Sequence, residues 1–523
     1  MPRRRCTTVA IAAFVARGLA LSASPLTSAA GPAAATAAPM RVVVVGAGPA
    51  GAMTALLLAR QRRGMTIDIF EARGEASRWS APSDRSWNVV LAERGLDALS
   101  RAGVDLLKNR GGDEENRRQA VLLEGNVRHT GRGGTAKKSP FFKGSVSIER
   151  GALARALLAA ALACDGVSVR YGHTLSDLCP VAGVATFAVG GASSNSSTAG
   201  GSGAGAGDSG ASAVVADGAA VTVKFDLLVG ADGVNSEVRA ALERRTPGFT
   251  VRQEIDDRAF KTFRIESAAA LEGGSAEWEH CFHVWRAPPG EIMSPPGADG
   301  SLTATVVLPG SGPESFETLM KSPEDVRAFF ASRYPTAFGR DGPGEAFCAE
   351  FLARHPNRLR GIYCSRLSVG RVALVGDAAH SMWASLGQGV NAALETCRVF
   401  SDVLAGSSDL TGGSGADDAA VMAALERYDA VRRPDAHAVC LLSERGLDGA
   451  GGRTTSPITM ARLALALLLN KLLPKLAPKP SLFGISNPAV RYSEVLAGTE
   501  REARRFGAVA RAAAGVGAAV VAR

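Results

Sequence analysis

No acidic side chain occurs in this 523-residue sequence before Asp68, although eight arginines precede it. The formal net charge of +9 is therefore partly a property of one end of the chain. Aromatic residues make up only 6% and do not interleave with the basic ones, so a nucleic-acid partner is not expected. The eight cysteines (Cys6, Cys164, Cys179, Cys281, Cys348, Cys364, Cys397 and Cys440) form no C-x-x-C pair and no short cluster with histidine. That spacing argues against a metal site and against a disulfide framework, and the thiols read as reduced and mostly buried. An uninterrupted apolar run long enough to cross a bilayer is missing too: Ile458 to Leu473, the candidate near the C-terminus, is broken by Arg462, Asn470 and Lys471. It either caps the fold or lies on a membrane surface with Lys471, Lys475 and Lys479 at the headgroups.

Against these absences stands one compact pattern. Val42–Val45 reads as a buried parallel strand, Gly46 to Gly51 as a tight G-x-G-x-x-G turn, and the Ala/Leu-rich continuation as a helix. Gly46 permits the turn, Gly48 lets the backbone approach a pyrophosphate, and Gly51 lets the helix pack closely, with the helix N-terminus presented to phosphate. A second strand, Thr66 to Phe70, ends in Glu71, twenty residues past Gly51, where an acid can accept the ribose hydroxyls of an adenosine. The pair of features predicts a dinucleotide site.

Residues 1–40 contain four arginines and many Ala, Ser and Thr, a composition that predicts a transit peptide into a mitochondrion or plastid, with a secretory signal as the rival. Residues 190–213 are almost wholly Gly, Ser, Ala, Asn and Thr; nothing there offsets chain entropy, so a disordered insertion inside a hairpin is expected. Val221 to Val229 reads as a strand leading to Gly230-Ala-Asp-Gly233, and Ser147 to Ala163 as a helix. Residues 258–310 alternate apolar and polar side chains in short runs, the pattern of an antiparallel sheet. The predicted fold is α/β. A Rossmann-type FAD-binding domain spans 41–257 and 366–450, a mixed-sheet substrate domain 258–365, and a helical region 451–523.

Three separated segments then line up: the glycine turn, Asp226-Leu-Leu-Val-Gly-Ala-Asp-Gly-Val-Asn-Ser-Glu-Val-Arg239, and Val372-Ala-Leu-Val-Gly-Asp-Ala-Ala-His380. Together they resemble the FAD-dependent aromatic hydroxylases that carry a single nucleotide-binding fold. Arg85-Ser-Trp-Asn88, Arg94-Gly95, Ser147-Ile-Glu-Arg150, His283-Val-Trp285, Gly387-Gln-Gly-Val-Asn391, Pro434-Asp-Ala-His437 and Arg491-Tyr492 are similar to the kynurenine-hydroxylating branch of that family. The resemblance covers roughly residues 41–500. It implies FAD contacts from Glu71 and Arg73 at the adenosine, Arg150 and Leu175 along the cofactor, Asp232 near FAD and NAD(P)H, and Asp377, Gly389, Val390 and Asn391 near the ribityl chain and flavin. It also implies that NADPH or NADH reduces the flavin and that a C4a-hydroperoxide formed with O2 hydroxylates a small aromatic substrate. No catalytic base or nucleophile is called for.

Of the four substrate-carboxylate contacts the branch implies, Arg118 alone has a counterpart. One tyrosine position, near Gly131 and Arg132, has none; the asparagine position falls on Gly446 beside Arg445, and the second tyrosine near Leu482. Ala384 also stands where proline is usual before Gly387-Gln-Gly. An apolar isoprenoid-type substrate, or FAD binding without productive oxygenation, are the alternatives these departures leave.

Overall fold

The computed structural model describes residues 39–521, apart from 62–63, 76–86, 108–118, 131–135, 191–214, 218–219, 267–277, 408–417, 447–456, 474 and 476–478. The transit peptide expected at 1–40, the insertion expected at 190–213 and Arg118 lie almost entirely or entirely outside the described residues.

The first layer is a six-stranded sheet in the order Ser368–Val369, Val372–Leu374, Leu227–Gly230, Met40–Val45, Met65–Glu71, Val167–Tyr171. All neighbours pair in parallel except Ser368–Val369. Val42, Val43, Val44 and Val45 are all buried, as a strand covered on both faces requires. The helices Pro49–Gln61, Arg150–Leu162 and Gly389–Ala405 pack together on it. Register is what matters for the site. Val45 pairs with Gly230, and Gly230 with Leu374, so three strands end together and Gly46, Ala231 and Val375 leave the sheet at one edge.

Two elements differ from the sequence reading. Val221–Val229 is not one strand. Ala220–Lys224 pairs antiparallel with Val184–Val189, while Leu227–Gly230 joins the parallel sheet. The chain changes sheets at Phe225-Asp226, where Phe225 is buried and the Asp226 carboxylate accepts the Arg41 amide at 2.7 Å. Likewise Val146–Glu149 is a strand between Asn88–Leu91 and Ala120–Leu122, and the helix begins only at Arg150. Ser147 is buried there and donates to the Pro296 carbonyl at 2.7 Å, a partner no local pattern reveals.

The second large sheet runs Arg258–Ile265, Leu302–Pro309, Gly290–Ser294, Cys281–Ala287, Gly125–Thr130, Lys137–Ser139. Alternation sends Phe263, Ile292 and Val306 into a core with Phe329, Phe330 and Phe351, and leaves Thr262, Met293 and Thr305 on the opposite face. Two of its strands come from the first third of the chain; Gly125–Thr130 lies parallel to Cys281–Ala287. His283 Nε2 donates to the Trp278 carbonyl at 3.1 Å, so its Nδ1 accepts from His129 Nε2 at 2.9 Å. Both rings stack with Trp285.

A buried charged cluster joins the C-terminal region to the first layer. Glu395 lies between Arg94, which it meets through Oε1, and Arg432, whose Nη1 donates to Oε2 at 2.6 Å. Arg94 also donates to the carbonyls of Ile485, Asn487 and Val490 and covers the Tyr492 ring at 4.0 Å. The helix Tyr492–Val521 starts from that anchor, and Arg491 pairs with Asp435 at 3.1 Å. His380, fully buried, bonds Thr396 at 2.7 Å beside this cluster. No helix among the described residues is long and apolar enough to cross a membrane. The described cysteines are free thiols, five of them buried.

Replacing Glu395 with alanine strands two guanidiniums with side-chain exposures of 1% and 2%, and is expected to cost about 3–5 kcal/mol of stability. Urea unfolding of the variant checks it; a loss under ~1 kcal/mol would mean the cluster is hydrated. Burial holds three histidines neutral, His129 and His380 down to about 3 and His283 down to about 4. Unfolded, each returns to about 6.5 and binds protons that the native state refuses. Stability therefore declines as pH falls from about 6.5 toward 4, by up to about 1.4 kcal/mol per pH unit per histidine. A urea midpoint that stays level from pH 7 to pH 5 would contradict this.

Candidate functional site

The three strand ends build one wall of a continuous cavity of about 4580 Å³. That is several times the roughly 300–1,000 Å³ of a site for one small molecule, and suits a dinucleotide with a substrate beside it. At the glycine turn, Gly46 has φ +97° and faces Ala231, whose carbonyl oxygen would lie 2.6 Å from any Cβ. A Cβ on Gly51 would meet the Gly46 carbonyl at 1.9 Å, whereas one on Gly48 would meet nothing within 4 Å and would project into open space. Gly46 and Gly51 are thus required by the protein's own packing. Gly48 is required only if something else occupies the space before it.

Glu71 is buried at the end of its strand, yet lines the cavity. Its Oε2 accepts the Ala47 amide of the turn at 2.9 Å, and its Oε1 accepts Arg73 Nε at 3.0 Å. The acid and the turn are therefore one hydrogen-bonded unit. Arg150, at the first position of its helix, lies 5.2 Å over the Trp87 ring, and Leu175 is buried on the strand His173–Cys179; both line the cavity.

Asp232 lines the cavity, but its carboxylate turns toward the helix Glu237–Arg245. It accepts from Ser236 Oγ at 2.6 Å and from the Val238 amide at 3.1 Å. Burial raises its carboxyl above the ordinary range and these bonds draw it back. Arg239 ties the second motif to the third by donating to the carbonyls of Val234 and Ala378. Asp377 is exposed and lines the cavity, while dense surrounding protein still shields its carboxyl. Burial raises its carboxyl, and the positive charge of Arg150 partly opposes the rise. An accessible acid lining such a cavity suits the hydroxyls of a polyol chain.

Gly389 and Val390 open the helix Gly389–Ala405 on the cavity, and their amides precede the first intrahelical bond, from Ala392 N to Gln388 O. Such an end favours developing negative charge. Asn391 differs from the others. Its side chain is fully buried, donates to the carbonyls of Val90 and Gly387 and accepts the Ala92 amide at 2.8 Å, so it braces the helix and does not face the cavity. Gly51 and Asn391 are the two sequence-predicted residues among those described that do not line the cavity.

The opposite wall is the outer face of the second sheet: Thr262, Phe282, Val284, Met293 and Thr305. The sequence reading did not single these out. Their signal was available as the odd members of the period-two alternation, but which face meets a ligand cannot be read from alternation alone. Met382, Trp383 and Leu386 complete an apolar chamber with Leu442 and Leu482.

Comparison with known proteins identifies the family and the fold. Residues 197–440 match the FAD binding domain family model, and residues 44–103 that of an NAD(P)-binding Rossmann-like domain. The chain is 30% identical over 499 residues to kynurenine 3-monooxygenase of Salinispora arenicola, covering 92% of this chain and 96% of that protein. It is 29% identical over 482 residues to kynurenine 3-monooxygenase of Chaetomium globosum, covering 89% and 95%. Among solved structures, 2-methyl-3-hydroxypyridine-5-carboxylic acid oxygenase superposes with TM-score 0.58 at 19% identity over 87% of this chain and 98% of that one. Klebsiella pneumoniae HpxO, complexed with FAD and uric acid, superposes with TM-score 0.55 at 20% identity over 88% and 97%. These two show the shared fold.

The steric contrast within the turn gives a paired test. Gly51→Ala should fail to fold stably. Gly48→Ala should keep the melting temperature of the flavin-free protein but bind FAD at least tenfold more weakly, roughly the loss of one good contact. Asp377→Ala should purify with less FAD, read from flavin absorbance per chain. Full flavin content in both the Gly48 and Asp377 variants would remove the assignment of this channel.

Proposed function

This chain belongs to the kynurenine 3-monooxygenase family of FAD-dependent aromatic hydroxylases, and we propose that it hydroxylates L-kynurenine at ring position 3. The enzyme is an FAD-dependent monooxygenase that uses NAD(P)H and O2. The observation that carries the substrate is the likeness at 30% identity across 92% of the chain, which includes the second sheet and the C-terminal region as well as the nucleotide fold.

When bound, FAD takes electrons from NAD(P)H and delivers one atom of O2 to the ring. The protein's part is placement and exclusion. Gly48 admits the pyrophosphate to the N-terminus of the helix Pro49–Gln61, and Glu71, held by the Ala47 amide, receives the adenosine ribose with Arg73 beside it. Asp377 and Arg150, both on the cavity, would hold the ribityl chain, and Leu175 would offer it an apolar contact. The amides of Gly389 and Val390, at the open helix N-terminus, would face the flavin and favour negative charge there. Phe282, Val284 and Met293 cover the reacting ring and keep water from it. No side chain is assigned as acid or base.

Purified with FAD, residues 41–523 should oxidise NADPH faster when L-kynurenine is added and release 3-hydroxykynurenine in equal amount. NADPH oxidation that ignores L-kynurenine, or that yields only hydrogen peroxide, would reject the substrate and redirect the search toward less polar rings.

A further inference from the structure

We propose that Arg445 and Glu500 form a charge-matched clamp for the amino-acid end of a zwitterionic substrate, with Arg445 taking the carboxylate and Glu500 the ammonium group. The inference rests on the amino-acid substrate proposed above and adds residues that the family resemblance does not supply.

Arg445 ends the helix Asp418–Arg445, and Glu500 lies two turns into Tyr492–Val521. Arg445 Nη1 donates to Glu500 Oε1 at 3.0 Å, and the two side chains are 41% and 39% exposed. Both line the cavity, in company with Leu386, Leu442, Leu482 and Phe483. The helix Asp418–Arg445 packs on the turn Ala384–Leu386, joined by Ser385 Oγ donating to the Ser443 carbonyl. That same turn runs directly into the Gly389 helix opening assigned to the flavin. A polar pair is thus held beside Leu386, Leu442 and Leu482, with Glu502 and Arg505 also on the cavity, a few residues of chain from the Gly389 helix opening.

An ion pair this exposed contributes only about 0–1 kcal/mol, so opening it costs little. A zwitterion replaces both partners at once: its carboxylate meets the guanidinium, its ammonium meets the carboxylate, and no charge is left facing the leucines. Arg504 Nη1 lies 4.0 Å from the other Glu500 oxygen, so a ligand with only a carboxylate leaves Glu500 partly matched, whereas one with only an ammonium leaves Arg445 unpaired; a neutral ligand leaves the pair closed and gains nothing from it. Discrimination then follows from what each wrong ligand leaves unsatisfied. Because the α-carbon is chiral, the two charges have fixed places relative to the ring, and exchanging Arg445 and Glu500 cannot serve the same L-substrate.

The plain alternative is a latch between two helices, and the test separates them. In the full chain with FAD, KM is measured for L-kynurenine, for its decarboxylated amine and for its deaminated acid. R445Q should raise KM for L-kynurenine roughly 10- to 100-fold, the loss of one charge-assisted contact, while leaving the amine nearly unaffected. E500Q should raise KM for L-kynurenine and the amine and spare the acid. The exchanged double variant R445E/E500R rebuilds the ion pair, and should recover any lost melting temperature without recovering KM. Recovery of both together identifies a latch and overturns the proposal, as does a wild-type KM equal for L-kynurenine and its amine. If the wild type turns over none of these compounds, the kynurenine reading fails separately. L-tryptophan and tryptamine then serve as flavin-absorbance probes: a wild-type preference for L-tryptophan that R445Q abolishes upholds the clamp, and equal titrations reject it.

Discussion

Glu395, caught between two buried guanidiniums, is the interaction on which the geometry of this protein depends. It holds together four pieces of chain that are far apart in sequence: the helix Glu93–Arg101, the helix Gly389–Ala405 that opens on the cavity, the helix Asp418–Arg445, and the segment from Ile485 to Tyr492. Exchanging such a cluster for well-packed apolar residues is often neutral or stabilising, so its presence argues for placement and not for stability in itself. Placement is what it delivers. The helix N-terminus that faces the cavity has Asn391 bonded on one side to the strand Asn88–Leu91 and, one turn later, Glu395 fixed by two arginines. A helix end aimed at a cofactor is useful only if it does not turn.

The cofactor channel obeys a different economy, that of contact distance. Gly46 and Gly51 let the turn, the helix and the Ala231 segment approach one another to a degree that no side chain permits, and the space so released lies in front of Gly48. Glu71 then fastens the turn by its backbone, so that the acid at the end of the second strand is part of the glycine turn's own framework. The register of three parallel strands brings the other two motifs to this edge without any contact between their side chains being needed.

Much of this was legible in the sequence where chemistry and backbone coincide. The four valines, the glycine turn and Glu71 form a local pattern whose spacing is set by the ligand, and the α/β class followed from it. What escaped was long-range. Asn391 belongs to a motif at a cofactor-facing helix end, yet its amide is spent on Val90, Gly387 and Ala92, and only tertiary structure reveals that. Asp232 likewise turns its carboxylate to a helix start. Arg94, Asp435, Arg491 and Tyr492 sat in conspicuous motifs that the cofactor could not explain, and they prove to hold the C-terminal region in place. The break at Phe225-Asp226 was invisible because the apolar residues continue through it while the pairing partner changes. Arg445 drew notice for its neighbour Gly446, but its true partner, 55 residues on, did not.

The parallel sheet also imposes a schedule on the newborn chain. Leu227–Gly230 pairs on one side with Met40–Val45 and on the other with Val372–Leu374, whose first residue is made 145 positions after Leu227 (372 − 227). At about 5–20 residues per second, the ribosome leaves that edge unpaired for roughly 7–30 s. The second sheet waits similarly, since Gly125–Thr130 must find Cys281–Ala287 across more than 150 residues of chain. Neither sheet can close before residue 280 is made, and the first core, whose strands begin at Met40, waits longer still for Val372–Leu374, so its apolar surface stays open through most of synthesis and shielding it in that interval falls to the cell.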